Sequence, residues 1–196
     1  MTIYRKLFAQ DTQNPVSLFR YFNQDKGKMV VFEQYGDLIC PGCEKIDERR
    51  ALERGLNLVD VPLRTSLNVF CSAEDFYIVS NELKIFLEKK VGSEIEFFVF
   101  TRNADFFVAM PKYIYKPESP NDAFEFGKPC KVCHRFRTVV FGPGKLEVEN
   151  GLRLGAIQLE GWHGSRQVWF ASEDFLKELK SSESLLKGFF ADRHAF

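Results

Sequence analysis

Cys40-Pro41-Gly42-Cys43 and Cys130-Lys131-Val132-Cys133 are the two stretches whose reading decides the fold of this 196-residue chain. The second pair follows the first by ninety positions, and the chain has only five cysteines. A two-residue gap lets both sulfurs of a pair reach one ion at ~2.3 Å, and four thiolates complete the tetrahedral set that zinc prefers. Pro41 and Gly42 supply the fixed φ and the permissive φ that a tight turn asks for. The second pair follows another turn-forming run, Gly127-Lys128-Pro129. One pair alone would be ambiguous, but two pairs make Cys40, Cys43, Cys130 and Cys133 candidate ligands of a single structural Zn²⁺. The long separation predicts a clip between distant parts of the chain, unlike a small self-contained finger.

Composition narrows the class. Hydrophobic residues make up 45% and charged residues 28%, as in a soluble globular protein, and 21 phenylalanines predict an aromatic interior. The length suits a single domain, 1–196, with a real apolar core. Lys+Arg and Asp+Glu number 27 each, for a formal net charge of +0. Phosphate binding normally shows as a basic excess, so nucleic acid is disfavoured as a partner. The N-terminal residues lack an apolar signal core, no apolar run reaches transmembrane length, and no lipidation signal is visible. The expectation is a cytoplasmic protein with no membrane contact, where thiols stay reduced and Cys pairs tend toward metal or redox chemistry. Cys71, beside Phe70 on an apolar stretch, reads as a core residue.

Self-similarity appears along the chain. Tyr77-Ile78-Val79-Ser80-Asn81-Glu82-Leu83 and Trp169-Phe170-Ala171-Ser172-Glu173-Asp174-Phe175 are each an apolar run, a Ser, acidic or amide residues, then apolar positions at helical spacing. Ser172 lies 92 positions after Ser80, and Phe189-Phe190 lie 92 after Phe97-Phe98. Both serines read as helix N-caps, with first-turn acids complementing the helix dipole. The fold class expected is α+β and β-rich, with two pseudo-repeated halves, 30–100 and 120–190, joined by the Cys₄ zinc site. Common strand–Ser–helix junctions would produce the same pattern by coincidence. Short strands are predicted at Val30–Phe32, Val59–Val61, Phe106–Met110, Arg137–Phe141, Ala156–Leu159 and Gln167–Phe170. A helix is predicted over Glu44–Arg54, stopped by Gly55, and a long loop over Lys112–Lys128.

Catalytic signatures are missing. The chain contains no G-x-S-x-G, no H-E-x-x-H and no P-loop. Pro129-Cys130-Lys131-Val132-Cys133 fits half of the zinc-deaminase pattern, but all three histidines lie after Cys133, so the upstream His-x-Glu is lacking. His134 is adjacent to Cys133 and reads as a neighbour of the ligands. Trp162 and His163, in Gly161-Trp162-His163-Gly164, read as an exposed loop tip and are candidate partner-binding residues. A plain turn without function is the alternative reading of that loop.

The two separated Cys pairs, together with Val168-Trp169-Phe170-Ala171-Ser172-Glu173-Asp174-Phe175, resemble the bacterial double-CxxCG family, allied to immunity proteins of polymorphic toxin systems. Glu44 and His134 stand where that family has Gly. The resemblance implies that the four cysteines bind zinc and that the chain is a non-enzymatic protein neutralising a cognate protein toxin by direct binding. The alternatives are a zinc-ribbon nucleic-acid-binding or regulatory module and, in a third class, a zinc-dependent or redox enzyme.

Overall fold

Runs rich in Phe, Val and Ile, punctuated by Gly, Pro and Asn, favour short pleated segments over long helices, and strands dominate the chain. The computed structural model describes residues 4–9, 17–56, 67–100, 103–117, 123–142, 148, 151–160 and 165–195. In chain order the elements are β1 (Tyr4–Ala9), β2 (Arg20–Asn23), β3 (Lys28–Val31), α1 (Glu48–Arg54), β4 (Val69–Cys71), β5 (Tyr77–Ser80) and α2 (Asn81–Val91). There follow β6 (Ile95–Phe100), β7 (Asn103–Pro111), β8 (Ile114–Tyr115), β9 (Phe124–Phe126), β10 (Val139–Phe141), β11 (Leu154–Glu160), β12 (Ser165–Ser172), α3 (Glu173–Lys180) and β13 (Phe189–Ala195). The α+β, β-rich class is the one observed.

Two sheets carry the fold. One runs β4-β5-β7-β6 and the other β13-β1-β12-β11-β8, with β2-β3 and β9-β10 as separate two-stranded ribbons. In the first sheet β5 leads through α2 to β6, and β7 lies between β5 and β6, antiparallel to both. In the second, β12 leads through α3 to β13, and β1 lies between them, antiparallel to both. Outside β5 sits β4, and outside β12 sits β11, each antiparallel to its neighbour. Order and direction therefore agree over four strands of each sheet. The central strands reach their places differently: β7 directly follows β6 and pairs back along it, whereas β1 comes from the N-terminal stretch.

Register carries the correspondence to single residues. Ser80 faces Phe106 and Tyr77 faces Ala109 in one sheet; Ser172 faces Tyr4 and Trp169 faces Leu7 in the other. Tyr77 and Trp169 thus occupy matching positions, and they stack on each other with centroids 4.5 Å apart. Ser80 and Ser172 are both N-caps, accepting from the amides of Leu83 at 3.2 Å and Phe175 at 3.3 Å. The phenylalanine pairs do not match in the same way. Phe97 lies opposite Ala109, whereas the residue opposite Leu7 is Ala191, so the register of the last strand is set two residues beyond the 92-position spacing.

The sheets also close on each other at their strand starts. The Glu94 carboxylate, between α2 and β6, accepts from the amides of Arg153 at 2.8 Å and Leu154 at 2.7 Å as β11 begins. Reciprocally, the Lys187 carbonyl, between α3 and β13, accepts from Asn68 at 2.8 Å and Val69 at 3.3 Å as β4 begins. Gly188, at φ +102°, permits that approach, since a Cβ there would lie 2.0 Å from the Val69 carbonyl oxygen. Tyr77, Trp169, Val79, Ala171, Leu83 and Phe175 belong to one apolar core drawn from both sheets and both helices. The opposite face of the four-stranded sheet packs a second cluster with α1, and that of the five-stranded sheet a third with β9 and β10.

Several sequence expectations shift. The helix predicted from Glu44 begins at Glu48, because Asp47 caps it and residues 44–46 are drawn into the turn of the first Cys pair. The Lys112–Lys128 loop includes β8 and β9, short strands whose pairing is tertiary and invisible to local pattern. The strand expected at Val59–Val61 lies outside the described residues. Cys71 is a core residue as expected, 7% exposed.

Trp169, fully buried where the two sheets meet, concentrates this packing. Trp169→Ala is expected to lower unfolding free energy by about 3–5 kcal/mol, read from urea denaturation. A loss below 1 kcal/mol would mean that the stack with Tyr77 contributes little.

Candidate metal centre

Each Cys pair sits in the same kind of turn. In the first, Ile39 and Ile46 form an antiparallel bridge, the Cys40 amide donates to Lys45 O at 2.9 Å, and the Glu44 amide donates to Cys40 O at 2.8 Å. In the second, Pro129 and Phe136 form the bridge, Cys130 donates to Arg135 O at 2.8 Å, and His134 donates to Cys130 O at 3.0 Å. The Gly42 and Val132 amides each donate to the leading sulfur of their pair, both at 3.4 Å. Glu44 and His134 take left-handed φ of 59° and 61°, the conformation that glycine adopts without steric cost. A glycine also stands two positions earlier, where the turns approach closely. A Cβ on Gly42 would lie 2.7 Å from Val132 Cγ2 and 3.0 Å from Cys130 Sγ, so a side chain at position 42 would force the docked turns to shift.

This docking brings all four sulfurs within 4.8 Å of one another. The Cys40–Cys130 sulfurs are 3.8 Å apart and the Cys43–Cys133 sulfurs 3.6 Å apart. A tetrahedron with arms of ~2.3 Å has edges of about 3.8 Å, so the donor set and its spacing are compatible with zinc. All four cysteines are free of disulfides. The amides of Cys133 and Val132 lower the Cys130 thiol to about 6. Burial acts to raise Cys40, but the Gly42 amide and neighbouring thiols outweigh it and lower that group too. Burial pushes Cys43 up to about 12 and also raises Cys133. In each pair the leading sulfur is lowered and the second raised, and a bound cation would favour the thiolate of all four.

Beneath the turns lies a charge network that sequence reasoning missed. Lys45, two residues past Cys43, is 2% exposed; its Nζ donates to Phe136 O at 2.7 Å and to Glu160 Oε2 at 2.6 Å. Arg135, two residues past Cys133, donates to Ile46 O at 2.7 Å, to Glu160 at 3.1 Å and to Glu48 at 3.3 Å. Each turn thus sends its cation to the matching carbonyl of the other, and both cations share Glu160 on β11. Burial acts to raise the Glu160 pKa, but Lys45 and Arg135 outweigh it and hold the carboxyl below its usual range. Burial likewise opposes charge on Arg135, yet Glu48 and Glu160 more than offset it and raise its pKa. The ninety-position spacing of Lys45 and Arg135 was the available signal in the sequence.

The sequence-predicted residues fall into two groups. Cys40, Cys43, Cys130 and Cys133 come together, and His134 contributes its backbone to the second turn. Trp162 and His163 lie outside the described residues. No known family model matches this chain, and no curated protein or solved structure does either.

Relieving the left-handed strain tests the turn geometry. Glu44→Gly and His134→Gly are each expected to raise stability by about 0.5–1 kcal/mol, with metal content unchanged. A drop in urea midpoint for both would refute the strain.

Because the folded pKa of Glu160 is depressed, its stabilisation is complete above its unfolded value of about 4.3 and is lost as pH falls through the folded value. Glu160→Gln, which leaves Lys45 buried beside a neutral amide, should cost about 3–5 kcal/mol at neutral pH. It should also flatten the fall in stability as pH drops below about 4.3. Superimposable curves for wild type and variant would exclude the network.

Proposed function

We propose that this chain is a zinc-clipped immunity-type binding protein, non-enzymatic, that neutralises a cognate protein toxin by direct contact. The observation that carries the reading is the closed set of four sulfurs at tetrahedral spacing, contributed by two equivalent turns ninety residues apart. A zinc ion held by Cys40, Cys43, Cys130 and Cys133 has no position left for water or substrate, which suits a structural role. Support for the immunity reading comes from the resemblance to the double-CxxCG family. At both positions where that family has Gly, this chain keeps the glycine-like backbone conformation.

The finer architecture belongs to the same proposal. The halves are a tandem pseudo-repeat of the form central strand, Cys turn, two strands, helix and strand. The central strands are exchanged, β1 serving the second sheet and β7 the first. The ion then joins the two Cys turns across the pseudo-symmetry, as the Tyr77–Trp169 stack joins the sheets.

Freshly purified protein is expected to contain about one equivalent of zinc, the stoichiometry of a single Cys₄ centre. Cys130→Ser should lose the ion and destabilise the entire chain, whereas Cys71→Ser should keep it. Co-expression with the product of the adjacent gene should rescue growth and yield a co-purifying complex. Binding to nucleic acid at physiological salt, with no protein partner from the adjacent gene, would transfer the function to a zinc-ribbon module.

A further inference from the structure

β13 closes the five-stranded sheet at the end opposite β8, and among the described residues no strand pairs with its outer side. It has seven residues, against three for β4, six for β6 and two for β8, the other edge strands of the two large sheets. β6 is moreover bridged at Phe100 by Leu56. An uncovered edge presents a row of N–H and C=O groups, a template for one more strand. Between this edge and α3 runs an open groove of about 660 Å³ that shares no residue with the Cys turns.

The two sides of the groove differ in chemistry. Phe189 is core beneath α3, so Ala191 lies on that same face and Phe190 on the opposite one. On the α3 side the wall carries Arg5, Lys177 and Lys180 against a single carboxylate, Glu173. Arg5 answers Glu173 at 2.6 Å. Lys177 meets Asp174 at 3.0 Å, an exposed pair of the kind that contributes little. Lys180 is exposed and has no ion pair among the described residues. Ala191 is small and exposed, which leaves room there for the side chains of an added strand. On the other side Phe190 is 56% exposed and its cross-strand neighbour Phe8 36%.

We propose that the β13 edge binds an extended segment of a partner protein as an added strand, with acidic side chains toward α3 and apolar ones toward Phe8 and Phe190. Successive strand residues point to opposite faces, so the segment alternates acidic and apolar positions. Main-chain hydrogen bonds along β13 hold it, and the two faces select its pattern. A second copy of this chain is the poorer occupant. Paired antiparallel across a two-fold axis, it would set its own Lys177 and Lys180 on the same side as these lysines, and like charges oppose that approach. The proposal stands whether or not the partner is a toxin.

The test uses the full-length chain and a capped, fluorescein-labelled heptapeptide of alternating Glu and Val, followed by fluorescence anisotropy. The peptide should bind saturably below about 1 mM, more weakly as salt rises, and should slow amide hydrogen exchange over residues 188–195. Lys177→Glu combined with Lys180→Glu, both exposed positions, should weaken binding at least about tenfold. A peptide with two consecutive prolines at its centre, one of which must turn toward β13, should lose at least about as much. The proposal is overturned if nothing saturates, if the charge-reversed variant or the proline peptide binds as well, or if an alternating Lys–Val peptide binds equally. Unchanged exchange along β13 also overturns it, as does a dimer in sedimentation that the acidic peptide cannot disperse, since the edge then belongs to a second copy. Zinc content and rescue of growth are read separately, so failure here leaves the metal and immunity readings to their own tests.

Discussion

Two Cys turns meeting face to face tie together chain segments ninety residues apart. Bringing together chain positions ninety residues apart costs on the order of 4 kcal/mol in loop-closure entropy. A structural zinc contributes about 10–16 kcal/mol of apparent binding energy, enough to cover that closure several times. The proposed ion thereby makes the meeting of the turns a stable feature of the chain. The meeting is prepared from the protein side as well. Gly42 leaves room for Val132 and Cys130, and the turns present four sulfurs at tetrahedral spacing.

Around this point the contacts come in matched pairs. Lys45 reaches the Phe136 carbonyl while Arg135 reaches that of Ile46. Glu94 secures the start of β11 while Lys187 secures the start of β4. Lys90 on α2 meets Glu178 on α3 at 2.8 Å, and Arg153 joins the same carboxylate. One core draws on both sheets together with α2 and α3, so neither sheet buries its inner face alone.

The buried charges show the cost of this arrangement. Lys45 is almost fully enclosed, and an unpaired ammonium there would be prohibitive. One carboxylate, Glu160, answers two cations from two turns, so β11 is tied to both.

How much of this was legible differs by residue. The Cys spacing, the caps at Ser80 and Ser172 and the burial of Cys71 could be read from sequence because their chemistry is local: ligand reach, a side chain bonding an amide three residues on, an apolar neighbourhood. The β-rich class followed from the abundance of Phe, Val and Ile. The helix start at Glu48 was displaced because bridging Ile39 to Ile46 removes residues 44–46 from any helix, a non-local demand. Likewise β8 and β9 are strands only because β11 and β10 lie beside them. The sequence by itself determined which residues could hold a metal and where helices could begin, since backbone reach and capping act over a few residues. Only the tertiary structure decided that β1 completes the distant sheet, that Lys45 and Arg135 share Glu160, and that β13 ends its sheet as an edge strand. Those outcomes depend on pairing between segments far apart in the chain, where one-dimensional pattern carries no distance information.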